Sequence, residues 1–308
     1  MEDEQWARLP MGAHEWLQEQ VNGKTLNFAS TAGGYASGVA GLLTAPGNVF
    51  FVKAVPLDSP SAADYITEAR VARALASSVP TPRLLHEGSA EGWVLLVFDV
   101  AMGQTPDEPW PRDQLLTVMK MLDGLSPRLT PSPVRDLPTV ADRMRGRCAT
   151  WSRLLQTGSC GQLSVGDLSE WEREHLPRLA RLERSWENLV VGETLLHFDL
   201  RHDNLKIDEH GRICILDWGR ACLGPAWVDV VCLLLESDPG STDLQGLFGK
   251  SARAAAADPL AVDAFLTVLA SYWRHAATLT HGVPAELKRR REFSSQSTLQ
   301  WLQQRWHN

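Results

Sequence analysis

The stretch from residue 197 to residue 219 constrains this chain more than any other. It reads HFDLRHDN, then KIDEHGRICIL, then Asp217-Trp218-Gly219. Two short apolar runs, near residues 204–208 and 212–216, flank a polar, glycine-containing turn, which predicts a β-hairpin. Asp199 and Asn204 stand on the loop that enters the hairpin, and Asp217 ends the returning strand. Two carboxylates and an amide are thereby drawn together, a set of oxygens suited to hard cations and to accepting a proton.

The surrounding pattern falls into two parts. Over the first hundred residues, a helix around 11–21 precedes the β-type runs LNFAS, GVAGLL and VFFVKAV, with Gly47-Asn48 at a tight turn between the last two. A helix from about 61 to 76 and strands near 83–86 and 93–100 follow. Beyond the Pro-bearing TPDEPWP the periodicity becomes helical: Leu115, Leu116, Met119 and Leu122 recur at helical spacing, as do Leu179, Leu182, Trp186 and Leu189. A second Pro-rich stretch, SPRLTPSPVRDLP, separates those two stripes, and Val262, Phe265, Leu266, Leu269, Tyr272 and Trp273 mark a later helix. The expectation is an α+β chain with a small antiparallel-sheet lobe over residues 1–100, holding one or two helices, and a larger, mainly helical lobe over 101–308.

Phosphoryl transfer asks for the oxygen set at 199–217. It needs a carboxylate near the attacking hydroxyl and oxygen ligands for the Mg²⁺ that neutralises a triphosphate, because catalysis there is mainly positioning and charge stabilisation. Asp199 suits the proton acceptor, and Asn204 and Asp217 suit the metal. The order H-x-D-x-x-x-x-N, with D-x-G eighteen residues after Asp199, resembles the signatures of the protein-kinase-like superfamily. The sequence around it is similar to the aminoglycoside phosphotransferase family in particular.

That resemblance implies a bilobal protein-kinase-like fold, with ATP or GTP and Mg²⁺ as cofactors. It further implies that Lys53, in VFFVKAV, reaches the α- and β-phosphates and that Glu68, in YITEARVARAL, pairs with it. The residues alone leave a second reading, with Lys53 snorkelling to the surface and Glu68 on a solvated face. Backbone near Asp99 and Val100 would bond the adenine. The turn AGGYASG, with Gly34 and Ser37, either covers the phosphates or is only a hairpin turn. Arg201 either steadies the transferring phosphoryl or forms a surface salt bridge. His197 is expected to brace the loop. Asp229, in GPAWVDVVCLL, supports that loop in the family, and is otherwise a carboxylate favoured by a helix dipole.

Between Gly219 and Gly224-Pro225 there is no room for a regulatory activation segment, which argues for a small, hydroxyl-bearing acceptor. By resemblance this is an antibiotic or related natural product of aminoglycoside, nucleoside or macrolide type, modified to give resistance. The alternatives are a metabolite kinase of the choline, homoserine or methylthioribose type, or a nucleotide-binding pseudokinase. Glu236, Asp238 and Asp243 would suit a polycation, whereas the basic run at 288–291 would not, unless it is a solvated helix face.

Composition closes off other classes. A net charge of −7 gives no electrostatic basis for holding nucleic acid. Five cysteines without a C-x-x-C pair suggest neither a disulfide framework nor a zinc ribbon. The acidic start and the lack of an eighteen-residue apolar window point to a cytoplasmic protein without membrane contact. The expected assembly, which no residue pattern decides, is a monomer or homodimer. Twelve tryptophans are either core or the lining of an aromatic pocket. Gly249-Lys250-Ser251 and Gly23-Lys24-Thr25 mimic the end of a P-loop, but Leu244 and Gln18 stand where its first glycine is needed.

Overall fold

The structure, a computed structural model, describes residues 3–23, 26–31, 38–75, 79–107, 110–235 and 243–307. Contacts divide the chain into two compact units. Met1–Asp107, Pro133–Leu137 and Asp199–Ala221 form the first, and Glu108–Ser132, Pro138–Phe198 and Cys222–Asn308 the second. The hairpin after Asn204 therefore packs with the first hundred residues.

In the first unit, α1 (Met11–Gln20) is followed by β1 (Asn27–Ser30), β2 (Val39–Ala45) and β3 (Asn48–Pro56), then α2 (Ala62–Leu75), β4 (Leu84–Ala90) and β5 (Trp93–Asp99). The strands make one antiparallel sheet in the order β1-β2-β3-β5-β4. Its central pair is covered on both faces, which is why WVLLVF reads as an unbroken apolar run and VFFVKAV as one interrupted only by Lys53. Val52, Ala54, Leu95 and Val97 pack with Ala13 and Leu17 of α1, while Val55, Leu96 and Phe98 pack with Tyr65, Ala69 and Ala72 of α2. Strand periodicity puts Lys53 on the same face as Val55, toward α2. The sequence pattern ends β4 at residue 86. The strand runs on to Ala90, because the edge of β5 supplies hydrogen-bond partners to HEGSA whatever its polarity.

Helix α2 is built for this position. Its AADYITEARVARAL is rich in strong helix formers, with Asp64 in the first turn and Arg73 in the last, matching the helix dipole. Tyr65, Glu68, Ala69, Ala72 and Leu75 recur on its buried face. The hairpin pairs Leu205–Ile207 with Ile213–Ile215, one residue inside the expected limits at either end. It is fastened to the segment after β5 by Gln104 N–H to Ile207 O (2.9 Å) and Ile207 N–H to Gln104 O (2.8 Å). That approach requires Gly103, whose φ is +106° and where a Cβ would sit 2.6 Å from the Ile207 carbonyl carbon and oxygen.

The second unit is mainly helical. In α3 (Arg112–Leu129), Leu115, Val118, Met119, Leu122, Leu125 and Leu129 are the buried stripe. The helix Glu170–Ser185 starts with a capping box between Ser169 and Glu172. The final helix, Ala285–His307, is held by Asp263, which takes Arg305 Nε at 2.6 Å and Trp306 Nε1 at 2.8 Å. On that helix Lys288 pairs with Glu292, Arg289 with Glu286, and Arg291 donates to the Ala276 and Leu279 carbonyls. A short pair of strands, Thr194–Leu196 with Cys222–Gly224, goes beyond the sequence reading, since three residues carry no readable period. Six of the twelve tryptophans are buried: Trp110, Trp151, Trp186, Trp218, Trp227 and Trp301. No helix among the described residues is long and apolar enough to cross a membrane.

Candidate active site

Lys53 is the one charge in β3, and it is 8% exposed. A buried ammonium needs counter-charge. Glu68 Oε2 lies 2.5 Å from its Nζ and Asp217 Oδ1 lies 3.0 Å away on another side. The Tyr65 ring centroid is 5.0 Å from the same nitrogen. Burial works against the Lys53 charge, but Glu68 and Asp217 outweigh it and hold the amine as an ammonium well above its usual range. Burial pushes the Glu68 carboxyl up to about 7, with Lys53 opposing.

Asp217 reaches Lys53 from the hairpin's end. Its backbone is left-handed (φ +57°, ψ +68°), which turns the chain straight into the Trp218–Arg220 turn packed against α2. Half of the Asp217 side chain stays exposed. At the other end of the hairpin, Asn204 is 6% exposed, and its Nδ2 donates to the Asp199 carbonyl at 2.8 Å. This bond fixes the loop and turns the amide oxygen away from that carbonyl. Arg201 is held between two carboxylates, with Nε 3.3 Å from Asp199 Oδ1 and Nη2 3.0 Å from Asp203 Oδ2. Of its two expected roles, the ion pair is thus present.

Lys53, Glu68, Asp199, Arg201, Asn204 and Asp217 all line one cavity of about 570 Å³ within the first unit. Asp99 and Val100 line it too, beside Ala40, Leu42, Phe51, Phe98 and Leu216. The Asp99 side chain is tied outward to Arg83 at 2.6 Å, and its N–H bonds the Arg83 carbonyl. An apolar slot beside a strand end, opening onto ammonium, amide and carboxylates, can hold a planar base at one end and a polyphosphate at the other. Gly34 and Ser37 lie outside the described residues, as do Glu236 and Asp238. Among the described residues no cluster of three or more His, Cys, Asp or Glu is placed to hold a metal.

A model of the phosphotransferase enzyme family matches residues 32–265. The chain belongs to that family. This phosphotransferase also shares its α+β, kinase-like fold with solved structures across nearly its whole length. One is a Ralstonia eutropha JMP134 protein ascribed to the aminoglycoside phosphotransferases, at 17% identity and TM-score 0.60, covering 96% of this chain and 99% of that one. A second is a thermostable mutant of the aminoglycoside phosphotransferase APH(4)-Ia in complex with ADP and hygromycin B, at 14% identity and TM-score 0.57, covering 93% and 95%. A third is the choline kinase LicA of Streptococcus pneumoniae, at 13% identity and TM-score 0.57, covering 94% and 99%. No curated protein matches the sequence.

His197 and Asp229 of the phosphotransferase sit in its second unit, 1% and 2% exposed. Asp229 Oδ2 accepts the His197 N–H and Oδ1 the Phe198 N–H, both at 2.9 Å. Phe198 is left-handed, at φ +64°. A carboxylate spanning two successive amides is the device that holds such a turn, and the chain runs from it directly into Asp199. Sequence reasoning missed Arg201's second partner Asp203 and the cavity-lining Tyr65; HFDLRHDN shows the first, and helical spacing from Glu68 shows the second.

Proposed function

We propose that this small-molecule phosphotransferase moves the γ-phosphate of ATP onto a hydroxyl of a natural product, foremost an antibiotic, with GTP as an alternative donor. The observation that carries the reading is the Lys53 amine held between Glu68 and Asp217 in a cavity that Asp199 and Asn204 also line. Lys53 would meet the α- and β-phosphates, fixed by Glu68. Asp199 would accept the proton of the acceptor hydroxyl, with Arg201 beside it facing the charge on the phosphoryl group. The backbone at Asp99 and Val100 would take the base, and His197 and Asp229 would keep the loop in place.

The residues present fit a magnesium ion. The Asn204 amide oxygen and the Asp217 carboxylate are hard donors, and Mg²⁺ commonly takes one or two protein ligands together with phosphate oxygens and water. Bound there, it would neutralise the triphosphate. The complex of APH(4)-Ia with ADP and hygromycin B supports both the nucleotide and the antibiotic class. The choline kinase neighbour supports a second reading, a metabolite alcohol as acceptor.

An ADP-release screen over aminoglycosides, macrolides, nucleosides, choline and related alcohols, with mass spectrometry for a gain of about 80 Da, distinguishes these acceptors. Asp199→Ala should lower kcat by about two to four orders of magnitude while nucleotide binding persists. Undiminished turnover in that variant removes Asp199 from the reaction. Nucleotide binding with no phosphorylated acceptor would leave a binding protein in place of an enzyme.

A further inference from the structure

Arg253 is 5% exposed, in the second unit, yet its Nε and Nη2 have no hydrogen-bond partner among the described residues. Its Nη1 donates to the carbonyl of Ala226 at 3.3 Å. Ala226 immediately precedes the helix Trp227–Leu235, whose first turn carries Asp229. A guanidinium is seldom buried so fully unless its charge is used. Its backbone is pinned as well. Asp123 of α3 accepts the Ser251 hydroxyl (2.7 Å) and the N–H groups of Ala252 (3.0 Å) and Arg253 (3.2 Å). Gly249-Lys250-Ser251, which fails as a P-loop, thus leads into the turn that delivers Arg253.

We propose that Arg253 is a positioning residue for the loop bearing Asp199: pinned by Asp123 and bonded to the Ala226 carbonyl, it fixes the start of the Trp227–Leu235 helix, whose Asp229 holds the His197 and Phe198 amides. Burial disfavours the guanidinium charge, and the carboxylates of Asp229 and Asp123 offset part of that effect. Arginine suits this role better than lysine, because its fork bonds a carbonyl while remaining charged. The catalytic consequence rests on the function proposed above; the coupling from Arg253 to the two amides does not.

The test uses the full-length protein with Arg253→Met, Arg253→Lys, Asp123→Asn and Asp229→Asn. Two readouts are followed: hydrogen exchange at the His197 and Phe198 amides, and slow ATP hydrolysis with water as acceptor. Arg253→Met should speed exchange at both amides by about tenfold or more, and lower kcat by about tenfold to a hundredfold with the KM for ATP within about twofold. Arg253→Lys should recover much of the loss. Asp123→Asn, which removes no buried cation, should act in the same direction and serves if Arg253→Met does not fold. Combined with Asp229→Asn, Arg253→Met should add little. Unchanged exchange at the two amides in both Arg253→Met and Asp123→Asn overturns the proposal, as does full additivity with Asp229→Asn. A wild-type protein that neither binds nor hydrolyses ATP overturns the kinase reading instead, and leaves the exchange result to decide this one.

Discussion

At the scale of single residues, the site turns on a buried ammonium with two acidic neighbours. Lys53→Met removes the only cation bonded to Glu68 among the described residues. A buried carboxylate is then left without its counter-charge, a defect that costs about 3–5 kcal/mol. The variant escapes part of that cost by keeping Glu68 protonated. Burial already pushes this carboxyl up to about 7 from 4.5 with Lys53 opposing, and without Lys53 nothing opposes it. The folded state then holds a proton that the unfolded chain has released, so stability must fall as pH rises above 4.5 and toward the raised pKa. Thermal melts of Lys53→Met should therefore drop from pH 5.5 to pH 8 by more than those of the wild type. Lys53→Met/Glu68→Gln should lose the excess pH dependence. A single variant whose melting shows no such excess would mean that Glu68 is not buried against Lys53.

At the scale of elements, the decisive joint is between the segment after β5 and the hairpin. Gly103 has a φ of +106° that side-chain-bearing residues rarely adopt, and the Ile207 backbone occupies the space of a Cβ. Gly103→Ala should cost about 1–3 kcal/mol from backbone strain alone. It should also weaken nucleotide binding several-fold, because Asp99 and Val100 line the cavity just before it. Isothermal titration with ATP checks this, and unaltered affinity would separate the joint from the base end of the cavity. Much at this scale was legible in advance. The order of β-type runs and the lone lysine in β3 were readable because burial on both faces leaves an apolar run in which one charge stands out; the glutamate on α2, one charge among several there, was singled out only through the family resemblance. The pair Thr194–Leu196 and Cys222–Gly224 was not, being too short for periodicity. Nor was the extent of β4, set by its neighbour's edge and not by its own side chains. Arg253 was hidden for another reason: its function depends on Asp123 and Ala226, which lie 130 and 27 residues away in sequence.

For the molecule as a whole, the grouping of contacts makes a claim that differs from chain order. The cavity is lined by residues between Thr31 and Gly103 and by residues between Asp199 and Arg220, all in the first unit although about a hundred positions separate the two stretches. A ligand that binds only the folded cavity stabilises it by mass action, by about 2.7 kcal/mol at a concentration of 100 Kd. Every opening that breaks the cavity must first release that ligand. Amides of β3, β5 and the hairpin Leu205–Ile207/Ile213–Ile215 should therefore slow together in hydrogen exchange when saturating ATP and Mg²⁺ are added, by up to about a hundredfold. Amides of the helix Pro259–Thr278, which contributes nothing to the lining, should slow far less. Protection of β3 and β5 without the hairpin would mean that the nucleotide is held by the sheet alone. Asp199, Asn204 and Asp217 would then have to be reassigned, because a triphosphate that leaves the hairpin free to open is not in contact with them.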